Sequence, residues 1–175
     1  MKSKIILLCT IVLSFLLQTT VVKKMAIGSI APNLLVILCI SMGLMRGRKS
    51  GLWVGFFSGM LVDLFYGSFL GFYALIYMYV GFFSGYAYRI CYDDEIKVPV
   101  MLSVAGDLMY NMAVYALQFL LRGRLSLGRY LIRIILPEVF YTAVLTFVVY
   151  RIYYFINYHF MEPVRPERES IWVLK

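Results

Sequence analysis

Six apolar stretches divide the chain, separated by short segments marked by Lys, Arg, Pro or Gly. They cover about residues 5–22, 30–45, 51–66, 69–88, 98–121 and 131–156. None shows the strict apolar/polar alternation of a membrane barrel strand. A stretch lying in lipid must satisfy its own backbone hydrogen bonds, which leaves helices. The pattern therefore predicts an all-α polytopic membrane protein with six transmembrane helices. Pro32 and Pro99 fall where a first helical turn tolerates proline. Only Gly67-Ser68 separates the third stretch from the fourth, which predicts a tight hairpin. The second and third stretches are short for a hydrocarbon core about 30 Å thick. That length suits helices standing upright, held inside the bundle, or set in a locally thinned bilayer.

Composition strengthens this reading. Hydrophobic residues make up 62% of the 175, and mean hydropathy is +0.83. A soluble domain is usually about 45–50% apolar. The excess must face something apolar, and a bilayer is the simplest candidate. One domain, residues 1–158, accounts for the six spans, with a short polar cytoplasmic tail at 159–175 carrying Pro163 and Pro166. The N-terminus imitates a signal peptide, with Lys2 and Lys4 before an apolar run. That run is long and ends without a small-residue cleavage site, so it reads as a retained first span.

The net charge of +8 does not point to nucleic acid, because the basic residues sit between apolar runs and no nucleic-acid module is visible. With the N-terminus inside, eleven of the 17 Lys and Arg fall on the cytoplasmic side. The positive-inside rule then predicts an N-in/C-in, multi-pass protein of the bacterial cell membrane, in contact with anionic lipid. The exception is RGRLSLGRYLIR, which puts Arg122, Arg124, Arg129 and Arg133 on the outside. Cys9, Cys39 and Cys91 are scattered, with no metal or disulfide spacing. The acidic group Asp93, Asp94 and Glu95 reads as a solvated turn. No cofactor and no metal are expected.

Some residues stand out against the apolar background. Gly51, Gly55 and Gly59 recur every four residues and share one helix face, and Gly67 and Gly71 repeat the spacing further on. Such faces let helix backbones approach closely in lipid. They serve either packing within the bundle or a groove for a partner's helix. Asp63 is a carboxylate near the end of the third span, where an isolated charge is costly. It has three candidate roles: hydrogen bonding at the start of the fourth helix, pairing with an outer-loop arginine, or handling a substrate or proton. Asp107 and Asn111 lie one turn apart, which predicts a hydrogen bond between their side chains. Pro137, followed by Glu138, should kink or restart the sixth helix, freeing a carbonyl and opening space. No nucleophile, zinc-protease or Ser/Lys pattern accompanies these acids, so an enzyme is not expected.

The segments LLQTTV (16–21), APNLLV (31–36), RGRKSGLWVGFFSGMLVDLFYGSFLGFYAL (46–75) and ILPEVFY (135–141) resemble the MreD family of bacterial rod shape-determining membrane proteins. The resemblance spans nearly the whole chain. Thr142 departs from it, standing where an asparagine is expected after the tyrosine. The resemblance implies a non-enzymatic scaffold of the cell-elongation machinery, active in cell-wall biogenesis and the regulation of cell shape. Its partners would be an MreC-like single-span protein and, indirectly, the MreB cytoskeleton, RodA and a class B penicillin-binding protein. It also implies a compact bundle similar to the substrate-binding subunits of energy-coupling-factor transporters, with Gly55, Gly59, Asp63, Gly67, Gly71, Pro137 and Glu138 as a functional core. The alternative is a small-molecule-binding or transport subunit with a polar cavity near Asp63, Asp107 and Glu138.

Overall fold

The computed structural model describes residues 2–22, 24, 30–67, 70–87, 97–120 and 131–160. These residues are almost entirely helical. The helices are α1 (Lys2–Leu17), α2 (Leu34–Arg46), α3 (Arg48–Tyr66), α4 (Phe72–Ser84), α5 (Lys97–Leu120) and α6 (Leu136–Phe160). A π-helical turn, Gln18–Val22, extends α1, and another, Leu131–Ile135, leads into α6. Ser3–Val22 and Leu131–Phe160 are each long and apolar enough to cross a membrane, while α2 and α4 are shorter apolar helices. Arg122, Arg124 and Arg129, the acidic residues 93–95, Cys91 and the tail beyond Phe160 lie outside the described residues.

The central pillar is α2. Every residue from Leu34 to Leu44 is buried, and α2 touches each of the other five helices. This explains a helix that is apolar on all sides rather than along one stripe. At 1.5 Å per residue its 13 residues reach only about 20 Å. Enclosed by neighbours, it need not match the thickness of any bilayer. The outward faces of its neighbours are apolar instead, as Phe140, Val144, Phe147 and Ile152 on α6 illustrate. Exposed apolar surface on this scale suits lipid rather than water.

The helix was expected to begin near Ile30, with Pro32 in its first turn. It begins instead at Leu34, and Asn33 is its N-cap. The Asn33 Oδ1 atom accepts from the Val36 N–H at 3.2 Å, satisfying a donor that the first turn leaves unpaired. Pro32 stands just ahead of the cap.

The tightest packing joins α3 to α4, and glycine makes it possible. A Cβ on Gly51 or Gly55 would overlap the carbonyl oxygen of Gly81 or Tyr77, respectively. On Gly59 it would come within 2.6 Å of Ala74 N. The glycine face of α3 is therefore filled by α4, as the packing alternative required. Gly67 and Gly71 are a different matter. They were expected to continue the small-residue face on a helix, but Gly67 caps α3 and Gly71 precedes α4. A four-residue spacing across a turn looks the same in sequence as one along a helix.

Gly71 has φ +97 with open space around it. Its requirement is thus conformational, because a Cβ strains the left-handed region. Gly71→Ala should lower stability by about 1 kcal/mol. Detergent-induced unfolding would register this as a reduced midpoint. An unchanged midpoint would show that the turn adapts.

Polar clamps hold the bundle at several depths. Ser14 Oγ and Tyr153 OH lie 2.8 Å apart between α1 and α6. At the far end of α2, Arg46 donates to Asn157 Oδ1 and to Ser3 Oγ, each at 3.1 Å. One guanidinium thereby ties α2 to both α6 and the start of α1.

Candidate functional site

The beginning of α2 is also a place where polar groups from several elements meet. Gln18 Nε2 donates to the Pro32 carbonyl at 3.1 Å, and Gln18 Oε1 accepts from Leu34 N–H at 2.7 Å. Asn33 N–H donates to Thr142 Oγ1 at 3.1 Å, and Tyr77 OH donates to Asn33 Oδ1 at 3.0 Å. Residues from the π-helical extension of α1, from α4 and from α6 therefore converge on the N-terminus of α2. The LLQTTV and APNLLV segments meet through Gln18. Thr142, the residue that departs from the expected pattern, supplies an acceptor to Asn33.

The π-helical turn beginning at Gln18 releases carbonyls from the regular helix ladder. Hydroxyls cover them: Thr19 Oγ1 donates to Phe15 O and Leu16 O, each at 3.1 Å, and Thr20 Oγ1 donates to Leu16 O. The second π-helical turn leads into α6. It ends at the buried Ile135, and α6 follows with Pro137 in its first turn and Glu138 next. The expected restart at Pro137 is the geometry found.

A cavity of about 610 Å³ opens beside the first of these turns, lined by Gln18, Asn33, Tyr66, Tyr77, Tyr110 and Glu138 among others. The Tyr77 and Tyr110 ring centroids are 5.2 Å apart and form one wall. Asn111 faces the Glu138 carboxyl group. Asp107 is fully buried nearby, facing Thr142, and neither of its carboxyl oxygens has a well-formed hydrogen bond.

The Asp107–Asn111 expectation needs correction. Asn111 Nδ2 donates to the backbone carbonyl of Asp107 at 3.1 Å, not to its carboxyl group. On one helix, the i−4 carbonyl is the nearer acceptor for such a side chain.

Asp63 does not line the cavity. Its side chain is buried at the start of α4. Oδ2 accepts from Gly71 N–H at 3.0 Å and Ala74 N–H at 2.9 Å, and Oδ1 accepts from Tyr73 N–H at 2.9 Å. This is the hydrogen-bonding role at the fourth helix. It places a carboxylate where a helix N-terminus favours negative charge. Arg133, the one described member of the outer arginine group, is exposed on the second π-helical turn.

Asp107, Asn111 and Glu138 stand out in the sequence, whereas Gln18, Asn33 and Tyr77 do not. The available signal was a polar residue at the end of each of two apolar runs, one of them beside a proline.

The family model of the rod shape-determining protein MreD matches residues 2–164. The chain belongs to the MreD family. Membership assigns it to rod-shape determination and to the membrane, in keeping with its apolar exterior. Neither a curated protein nor a solved structure matches the chain. In MreD-family terms, the conspicuous Gly-xxx-Gly-xxx-Asp run of α3 builds and caps the α3–α4 pair. The cavity at the head of α2 meets that run only at Val62; neither its glycines nor Asp63 line it. Among the described residues, no group of His, Cys, Asp and Glu could hold a metal ion.

Proposed function

We propose that this chain is a six-span, N-in/C-in scaffold of the cell-elongation machinery. In this reading it docks the helix of an MreC-like single-span protein and so links the MreB cytoskeleton to peptidoglycan synthesis by RodA and a class B penicillin-binding protein. It performs no chemistry itself. The observation that carries the reading is the family match across nearly the whole chain, joined to a helical body with an apolar exterior. In this orientation the Arg46 end of α2 is cytoplasmic and the Asn33 end faces outward.

The glycine face is occupied by α4, so docking belongs on an exposed helix face. The test is in-cell crosslinking from single cysteines at exposed positions such as Leu16, Leu64, Phe83, Met109 and Phe147. One face should crosslink to an MreC-like protein while the others do not. If none does, the docking scaffold fails.

Orientation has its own test. In a background without Cys9, Cys39 and Cys91, Thr19→Cys at the cavity should react with an impermeant thiol reagent added to spheroplasts. Ser50→Cys should react only after permeabilisation. The reverse pattern would overturn the N-in reading.

The cavity favours a second reading, a small-molecule-binding subunit similar to those of energy-coupling-factor transporters. A cell-extract metabolite that raises the thermal stability of the purified protein, with the effect lost in Glu138→Gln, would support it. A protein whose stability no extract fraction changes would remove it.

A further inference from the structure

A second concavity, about 380 Å³, opens at the other end of the bundle between α1 and α3. Its mouth carries Lys4, Arg46 and Ser50. Arg46 is fixed there by Ser3 and Asn157, so its charge has a defined position. Below the mouth, the lining becomes apolar: Leu8 and Ile11 on α1, Trp53 and Phe57 on α3. Ile11 lies seven residues along α1 from Lys4, a descent of about 10 Å. Trp53 and Phe57 stack with ring centroids 6.0 Å apart, forming a flat aromatic wall. No acidic residue lines the concavity.

The structure assigns this concavity to one anionic phospholipid, its phosphate against Lys4 and Arg46 and an acyl chain along Leu8, Ile11, Trp53 and Phe57. The order of the lining carries the argument. Cations and a hydroxyl come first, followed by an apolar slot that runs along the helix direction, which matches the order of groups in a lipid. Basic pockets between membrane helices on the cytoplasmic side suit such headgroups. A partner's membrane helix would fit the apolar slot, but its cytoplasmic flank is ordinarily rich in Lys and Arg. It would bring like charge to Lys4 and Arg46, whereas the inner leaflet brings the opposite charge. The trapped lipid would brace α1 against α3 and leave the cavity at the Asn33 end untouched.

The assignment rests on the N-in orientation, which the thiol labelling tests separately. The experiment uses the full chain in mild detergent, delipidated and then titrated with phosphatidylglycerol, phosphatidylethanolamine or glycerol 3-phosphate. Native mass spectrometry and thermal unfolding are the readouts. One phosphatidylglycerol should be retained and should raise the unfolding temperature, while phosphatidylethanolamine and glycerol 3-phosphate should act far more weakly. Lys4→Glu should weaken phosphatidylglycerol binding roughly tenfold. Leu8→Trp, which fills the slot and keeps both charges, should weaken it as well. Arg133→Glu removes an equal charge at the opposite end of the bundle and should leave binding unchanged. Equal binding of the two phospholipids, or wild-type binding by both Lys4→Glu and Leu8→Trp, would overturn the proposal. Equal protection by glycerol 3-phosphate would reduce the site to one for free phosphate. A photo-crosslinker at Leu8 that captures a single-span protein instead of lipid would also overturn it.

Discussion

Gly55→Val and Gly51→Val should each destabilise the protein by about 3 kcal/mol or more, enough to remove most folded protein from the membrane. The reason is what each new Cβ would meet. At Gly55 it overlaps the Tyr77 carbonyl oxygen and comes within 2.6 Å of the carbonyl carbon. At Gly51 it overlaps the Gly81 carbonyl oxygen and comes within 2.9 Å of Gly43 Cα. These neighbours are backbone, so no rotamer change relieves the clash. Separating α3 from α4 by the width of a methyl group would open a void along their shared face. In lipid that face is held by close packing rather than by hydrophobic drive. Phe140→Ala provides the contrast, because Phe140 is exposed on α6 and its loss should change stability by less than about 0.5 kcal/mol. The measurement is the unfolding midpoint in detergent, with the folded yield of each variant beside it. A Gly55→Val protein with the wild-type midpoint would show that α4 does not fill this face.

This result bears on how such glycines are read. A partner groove predicts lost assembly with an intact bundle. A filled groove predicts lost folding, and any loss of assembly follows from that. Introducing cysteine at Gly55 or Gly59 to capture a partner would itself disturb the bundle, so the crosslinking sites belong on exposed faces.

The six helices were legible because long apolar runs have few alternatives to helix in lipid. Their ends were less so. The start of α2 shifted from Ile30 to Leu34 because a side-chain cap at Asn33, rather than hydropathy, decides where the helix begins. The glycine spacing revealed close approach on α3 but not the identity of the neighbour, since α4 and a partner's helix make the same demand. Gly67 and Gly71 share that spacing and turned out to flank a turn. The cavity was hidden for a different reason. Gln18, Asn33, Tyr77, Tyr110 and Glu138 come from five separate elements, and no local pattern announces their meeting. Asp107 and Glu138 were visible as acids in an apolar setting, but the hydrogen-bonded lattice around Asn33 depends on how five helices pack around α2.

Asp63→Ala should cost about 3–5 kcal/mol, the second large effect. Three backbone N–H groups at the start of α4 depend on this one carboxylate, and it is only 2% exposed. Removing it leaves three donors with no side-chain acceptor at a buried helix end. Each such loss carries a desolvation penalty of about 1–3 kcal/mol, partly relieved where the turn admits water. Asp63→Asn should fall between alanine and wild type. Its single amide oxygen can still accept from Gly71 and Ala74, but its NH₂ group would confront the Tyr73 N–H. Asp63→Glu should not rescue, because its extra methylene pushes the carboxyl group into the turn it now closes. A role in substrate or proton handling predicts another order: asparagine as damaging as alanine for cell shape, with stability nearly normal for both. Unfolding midpoints and rod-shape complementation, measured on the same three variants, separate the cases. If stability and shape fall together in the order asparagine, then alanine, Asp63 is the cap that holds the α3–α4 hairpin closed. If shape fails while the midpoints hold, the carboxylate acts beyond the fold.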